Sequence, residues 1–320
     1  MKKLISILLL SAFLFGANIF MPAGVIKVNG TAKDMVLRDN KLIIATDMGH
    51  IEIYDSSTKE KIKDIYIPDV TDFMGDKISA RVMSTDFLDD QYLILSDSGK
   101  GGYSDLYIYK DEKLLKLLGY KDKQAIVKAR FVDKDHILLG YLSDEASLYD
   151  MKNKKFIYKT QLSQSKFSDF MLNENRTKAS FSSESGIISL LDVKNGKVIS
   201  ELSGQNVDNV YKTDFKSGTI SGAGQDRRGS IYDEKSGKGT YIEGEFLIYG
   251  TALSPSAKKV AFAMDEKNNI SIYDTVSKSK IALLKGQKST LNVIIFQDEN
   301  RLFSASDDSE VMIWNMEIKN

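Results

Sequence analysis

A short pattern recurs along this chain at nearly constant spacing: a β-branched or aromatic strand, then Asp, then a turn carrying lysine. It reads Ile-Glu-Ile-Tyr-Asp ending at Asp55, Ala-Ser-Leu-Tyr-Asp at Asp150 and Ile-Ser-Leu-Leu-Asp at Asp192. It returns as Gly-Ser-Ile-Tyr-Asp at Asp233 and Ile-Ser-Ile-Tyr-Asp at Asp274. Two degenerate copies, Leu-Tyr-Ile-Tyr-Lys ending at Lys110 and Val-Met-Ile-Trp-Asn ending at Asn315, complete the set. The successive spacings are 55, 40, 42, 41, 41 and 41 residues. Seven copies at such a period predict an all-β chain, a seven-bladed propeller with four strands per blade. Length alone would suggest two domains, but closed all-β folds often reach 320 residues as one.

The chemistry of each copy agrees. Alternating apolar residues mark a strand with two different faces. The aromatic before Asp is expected to pack between neighbouring blades. The Asp can accept hydrogen bonds from the amides that follow, as an Asx-type turn. Metal-ligand or acid roles for these aspartates are not needed, because one turn per blade accounts for all of them. In the sixth copy, Ile248 to Ser254 reads as inner strand a and Val260 to Met264 as strand b. Ile270 to Asp274 and Lys280 to Leu284 follow as strands c and d.

These residues resemble the WD40 repeat family. Leu-Ser-Pro-Ser-Ala-Lys-Lys, from Leu253 to Lys259, looks like that family's turn after strand a. Ser304-Ala-Ser-Asp-Asp-Ser-Glu-Val-Met-Ile-Trp-Asn315 looks like its b–c segment. The resemblance covers about residues 24 to 320. It departs in lacking Gly-His before strand a and in having Tyr-Asp for Trp-Asp in most blades. The buried Asp–His–Ser/Thr network that the family implies is therefore expected to be absent, with blades held mainly by apolar packing.

Closure of the ring is also legible. Only five residues follow Asn315, too few for a turn and a full outer strand. Gly24 to Asn29 reads as a strand ahead of the first strand a. It is expected to supply the outer strand of blade seven, which removes an open edge.

Composition narrows the function. Lys+Arg and Asp+Glu are both 44, which gives no support to nucleic acid or an anionic membrane surface as main partner. The absence of cysteine excludes disulfides, thiolate metal sites, thiol catalysis and covalent haem attachment. Lys2 and Lys3, the apolar run Leu4 to Phe15 and the small Gly16-Ala17 have the layout of a secretory signal peptide. The expectation is a bacterial periplasmic protein with residues 1–17 removed, residues 18–320 forming the propeller, and no membrane insertion afterwards. The competing reading is a retained anchor. A spanning helix needs about 20 apolar residues, and Asn18, Pro22 and Gly24 interrupt the stretch.

The second copy exceeds the common period, and the excess falls in two segments. Pro68 to Ala80 connects blades one and two, and Asp97 to Asp105 is the b–c loop of blade two. Both belong to the top face, beside each other. Loops longer than their structural need often carry binding. Phe73 and Met74 are candidate apolar anchors there, with Lys100 and Tyr103 in the neighbouring loop. Arg227 and Arg228, in the b–c loop of blade five, could clamp a carboxylate on the same face. Tyr211, Tyr249 and Phe167 occupy similar points of three inner strands, as an aromatic rim or as packing. Asp34, Asp169 and Asp214 are inner-strand acids that could converge on the channel. His50 and His136 lie in different blades and on opposite faces, against a histidine metal cluster. No cofactor or metal is expected.

The leading reading is a non-catalytic, monomeric interaction protein that docks a protein partner on its top face. The whole chain is similar to the NapL-type, WD40-like accessory proteins of periplasmic nitrate reductase systems. That resemblance implies a role in maturation or electron supply during anaerobic respiration, beside nitrate reductase components. The alternatives are a lactonase-like propeller hydrolase and an envelope-assembly scaffold. The scaffold's tryptophan-rich repeats are missing, with Trp314 alone.

Overall fold

The computed structural model describes residues 17–317. The proposed signal peptide falls almost wholly on residues 1–16, outside the described residues. No helix among the described residues is long and apolar enough to cross a membrane.

Seven antiparallel sheets are arranged in a ring. Blade one runs from Ala32 to Tyr66, blade two from Val82 to Leu118 and blade three from Ile126 to Gln161. Blades four and five span Phe167 to Leu202 and Val210 to Glu243. Blade six is Gly250 to Leu284, with its last two strands at Ile270–Asp274 and Lys280–Leu284. Blade seven takes three strands from Leu291 to Asn315 and its fourth from the N-terminal end. The first strand of each blade packs on the first strand of the next, so these seven form the channel wall.

The tagging motif explains the local structure. Ser57 and Thr58 amides donate to Asp55 Oδ1 at 2.8 and 2.7 Å. Equivalent amides donate to Asp150, Asp192, Asp233 and Asp274. The residue four beyond each Asp is left-handed: Lys59, Lys154, Gly196, Gly237 and Lys278. The Lys110 copy lacks this turn because blade two uses a tighter one. Asp111 and Glu112 have φ of 49° and 59°, the two-residue turn that matches strand twist.

The core is divided among the blade interfaces. Seven apolar clusters lie between neighbours, and each draws side chains from two blades. The side chain before the turn is the recurring contributor. Tyr54 packs with Phe303 of blade seven, Tyr149 with Leu93 of blade two, and Tyr232 with Ile188 of blade four. Trp314, fully buried, packs with Ile270 and Leu284 of blade six. No sheet has a private core, so each blade is stabilised through its neighbours.

The ring closes as expected. Strand β2 (Gly24–Lys27) pairs antiparallel with the last strand, Gly24 opposite Ile313 and Lys27 opposite Glu310. The structure adds a second stitch. Strand β1 (Asn18–Phe20) lies parallel to Lys280–Leu284 and becomes a fifth strand of blade six. The Lys285 amide donates to Phe20 O at 2.9 Å, and the Phe20 ring joins the blade six–seven cluster. Pro22 then crosses against Gly286, where a Cβ would sit 2.9 Å from the proline ring at φ +134°. Beyond β2, the Asn29 amide donates to Glu52 Oε1 at 2.7 Å. Tyr54 and Lys61 complete the shell of this buried carboxylate, at 2.5 and 2.7 Å from Oε2. The N-terminal segment is thus fixed to blades six, seven and one in succession.

Polar contacts supplement the apolar packing more than the sequence led us to expect. In blade seven, Trp314 Nε1 donates to Ser304 Oγ, Ser304 to Gln287 Oε1, and Gln287 Nε2 to Ser306 Oγ, all buried. Gln287 follows Gly286 ahead of the inner strand, so an amide side chain organises this connector.

Two outcomes follow for the seam. Ile26 is buried while Val25, next to it, is 46% exposed. Ile26→Ala should cost about 2–4 kcal/mol in urea unfolding, and Val25→Ala no more than about 0.5 kcal/mol. Glu52 supplies a pH dependence. Burial alone would raise its pKa, but Lys61, Tyr54 and the Asn29 amide hold the charged form below the ordinary 4.5. A depressed folded-state pKa stabilises at higher pH, and that contribution is lost as pH falls from about 5 through the folded value. Glu52→Gln should therefore be less stable than wild type at pH 7, with a shallower loss on acidification, as urea titrations across that range would read.

Candidate functional site

The top-face loops and the channel are built by different local rules. The connector after blade one forms a small hairpin, Val70–Thr71 with Lys77–Ile78. Asp72 caps its tip: Oδ1 accepts from the Met74 and Asp76 amides, both at 2.9 Å, and Gly75 turns at φ +95°. That tip holds Phe73 and Met74 in solvent, 91% and 73% exposed. The b–c loop of blade two lies against this hairpin, as the loop lengths led us to expect. Gly99 makes the approach possible, since a Cβ there would stand 2.7 Å from Thr71 O. Lys100 reaches over the Tyr120 ring at 5.2 Å, while Tyr103 is half-buried and packs on Gly101.

Arg227 and Arg228 share the face but lie across the ring, in blade five, three blades from blade two one way round and four the other. Arg227 is exposed at φ +66°. The Arg228 guanidinium is already engaged, 4.5 Å over the Tyr241 ring of its own blade and donating to Gln205 O of the connector from blade four at 3.3 Å. The aromatic rim also needs a correction. Tyr211 stacks on Tyr249 with ring centroids 5.3 Å apart, but Phe167 is buried against Phe170 and Phe181. Register explains it. Phe167 pairs with Ser183 as Val210, not Tyr211, pairs with Gly224. A shift of one residue exchanges the faces of a strand.

The channel is organised by a bulge near the start of six of the seven inner strands. A bulge re-aims the side chain beside it. The first residues past it are Asp34, Ser84, Lys128, Asp169, Lys212 and Val293. All but Ser84 line a cavity of about 440 Å³. Asp34, Asp169 and Asp214 all line this one cavity. Lys128, Arg130 and Lys212, not singled out in the sequence, join them, and Asp86 is buried behind the wall.

Each acid accepts a main-chain N–H of the next inner strand. Asp34 accepts from Thr85 at 2.9 Å, Asp86 from Phe131 at 3.1 Å, Asp169 from Thr213 at 3.2 Å and Asp214 from Leu253 at 2.7 Å. Cations complete the belt. Arg130 reaches across blade two to grip both oxygens of Asp34, at 2.7 and 2.8 Å, and also donates to Ser84 Oγ. Lys128 binds Asp169 at 2.5 Å. Arg38 and Arg176 approach Asp86 from blades one and four. Burial would raise the Asp34 pKa, yet Arg130 and Lys128 hold it below the ordinary carboxylate value. The charged arc covers blades one to five. Gly250, Val293, Ile295 and Phe296 make the opposite wall apolar.

One group has the composition of a metal site: ligand atoms of His50, Glu52 and Asp64 lie within 4.8 Å of one another. Strand pairing assembles it, with Glu52 opposite Asp64. The Lys61 ammonium already sits there, 2.7 Å from Glu52 and 3.7 Å from Asp64, and a metal would have to displace it. His50 Nδ1 contacts Asp64 at 2.9 Å, and His136 lies in another blade, as expected.

The Asp34–Arg130 bridge yields a quantitative outcome. Removing one partner strands a buried charge, which typically costs about 3–5 kcal/mol, whereas an apolar replacement of both is often near neutral. Asp34→Ala should destabilise on that scale, and Asp34→Leu with Arg130→Met should regain most of it in denaturant unfolding.

No protein-family model matches this chain, and no curated protein matches it. What the geometry establishes is a seven-bladed β-propeller with a charged channel and a projecting apolar hairpin.

Proposed function

We propose that this protein is a non-catalytic interaction module that captures a protein partner on its top face. The observation that carries this reading is the hairpin tip, where Phe73 and Met74 stand in solvent on a turn fixed by Asp72. Exposed apolar side chains on a pre-ordered support suit a docking anchor, because little freedom is lost on binding. Lys100 and Tyr103 in the adjoining loop extend the surface. The engaged state of the channel carboxylates, each committed to a neighbouring strand, supports binding over hydrolysis. The finer reading comes from the whole-chain similarity in repeat style and export-type N-terminus: a WD40-like, NapL-type periplasmic accessory protein. Its partner would then be a component of a periplasmic nitrate reductase, served in maturation or electron supply.

The test is direct binding of the purified chain to purified periplasmic nitrate reductase subunits. Wild type should bind, and Phe73→Asp with Met74→Asp should weaken binding by at least about tenfold, the scale of a lost anchor. Equal affinity of both forms would exclude the hairpin as anchor. Binding by neither would remove the nitrate reductase assignment.

A further inference from the structure

The channel contains a cation that the inter-blade belt does not use. Lys212 follows the bulge of the blade five inner strand, at the place held by Lys128 in blade three and Asp169 in blade four. Asp169 binds Lys128 and the Thr213 amide. Among the described residues, Lys212 has no hydrogen-bond or ion-pair partner. It lines both the main cavity and a second cavity of about 200 Å³ at the top mouth. Asp34, Lys128 and Asp169 also line both, so these four side chains stand where the cavities meet.

Charge around this point is unbalanced. Arg38, Lys128, Arg130, Arg176, Lys212 and Lys216 line the main cavity against Asp34, Asp169, Glu174 and Asp214, with the buried Asp86 between Arg38 and Arg176 as the one further acid. Lys33, Arg81, Lys128 and Lys212 line the upper one against Asp34 and Asp169. Burial pushes the Lys128 pKa down, and Arg130 and Lys212 push it the same way, against Asp169 and Asp34. Like charges held near each other in a poorly solvated channel raise its free energy unless an anion lies between them. The facing wall carries Val293, Ile295 and Phe296.

We propose that the channel is a binding site for a small carboxylate with an apolar body, its charged end held by Lys128 and Lys212. The carboxylate completes the charge balance, and the aliphatic part lies along blades six and seven. A cavity of this size falls in the range of small-molecule sites. This site is separate from the top-face hairpin and does not depend on it.

Calorimetric titration with hexanoate, compared with hexanol and hexylamine, tests the proposal. Hexanoate should bind to wild type, while hexanol and hexylamine should bind at least about tenfold more weakly. Lys212→Met should abolish hexanoate binding, and Lys212→Arg should retain it. Because Lys212 bonds to nothing else, Lys212→Met should leave the melting temperature of the free protein unchanged or raised. Equal binding of all three probes, unaltered hexanoate affinity in Lys212→Met, or a lowered melting temperature in that variant would each overturn the proposal. Acetate binding as tightly as hexanoate would overturn the apolar half of it.

Discussion

The pairing of Gly24–Lys27 with Glu310–Ile313 is the contact on which the rest of this molecule depends. Every apolar cluster is shared between two blades, so an open array would split the cluster between blades seven and one and leave blade seven without its outer strand. The seam sits where both would appear. It gives blade seven its outer strand and delivers Ile26 and Val28 into the cluster between blades seven and one. The short parallel strand on blade six and the Asn29–Glu52 contact on blade one carry the same segment across three sheets. Channel and top face exist because this join holds.

Inside the ring, the acids act as spacers as much as charges. Each reaches to the main chain of the following inner strand, which fixes the rotation of one blade against the next. Such buried ionic groups contribute less to net stability than their Coulomb attraction suggests, because removing them from water is costly. Their effect here is geometric. Arg130 spans from blade three to blade one, and Arg176 reaches Asp86 from blade four. The belt then ends, and blades six and seven line the channel with uncharged residues. The wall is two-sided for a sequence reason: these inner strands read Gly-Thr-Ala-Leu and Leu-Asn-Val-Ile-Ile-Phe.

Blade number, blade order and the closing strand were legible because they rest on a repeat and on a count of leftover residues. The turn aspartates were legible because an Asx turn is a local structure. Exposure of Phe73 and Met74 followed from a connector longer than its task. What escaped was whatever depends on register or on distant pairing. The place of Phe167 was misjudged by one residue, since nothing local announces the inner-strand bulges. Lys128 and Arg130 were passed over in Ile-Val-Lys-Ala-Arg-Phe, although two charges in an inner strand were a usable signal. The partnership of Arg130 with Asp34 joins blades that are not neighbours in sequence. Nothing local in Ile-Glu-Ile-Tyr-Asp marks Glu52 as the buried carboxylate on which Asn29, Tyr54 and Lys61 converge. Strand β1 is three residues long and parallel, and neither its length nor its composition distinguishes it.

The stitched seam also orders events in time. The strand that seals the circle is synthesised ahead of all seven blades, and its partner only after six of them. Joining ends that far apart adds only roughly 2 kcal/mol of loop entropy over joining neighbours, since each doubling of separation costs about 0.6 kcal/mol. The delay is therefore one of waiting rather than of energy. Until the Trp314 strand has emerged, β2 has nowhere to pair, and six nearly finished sheets form an unsealed arc. Topologies so dominated by remote contacts fold slowly and expose adhesive edges meanwhile. A chain cut short by a few dozen residues would remain in that state permanently.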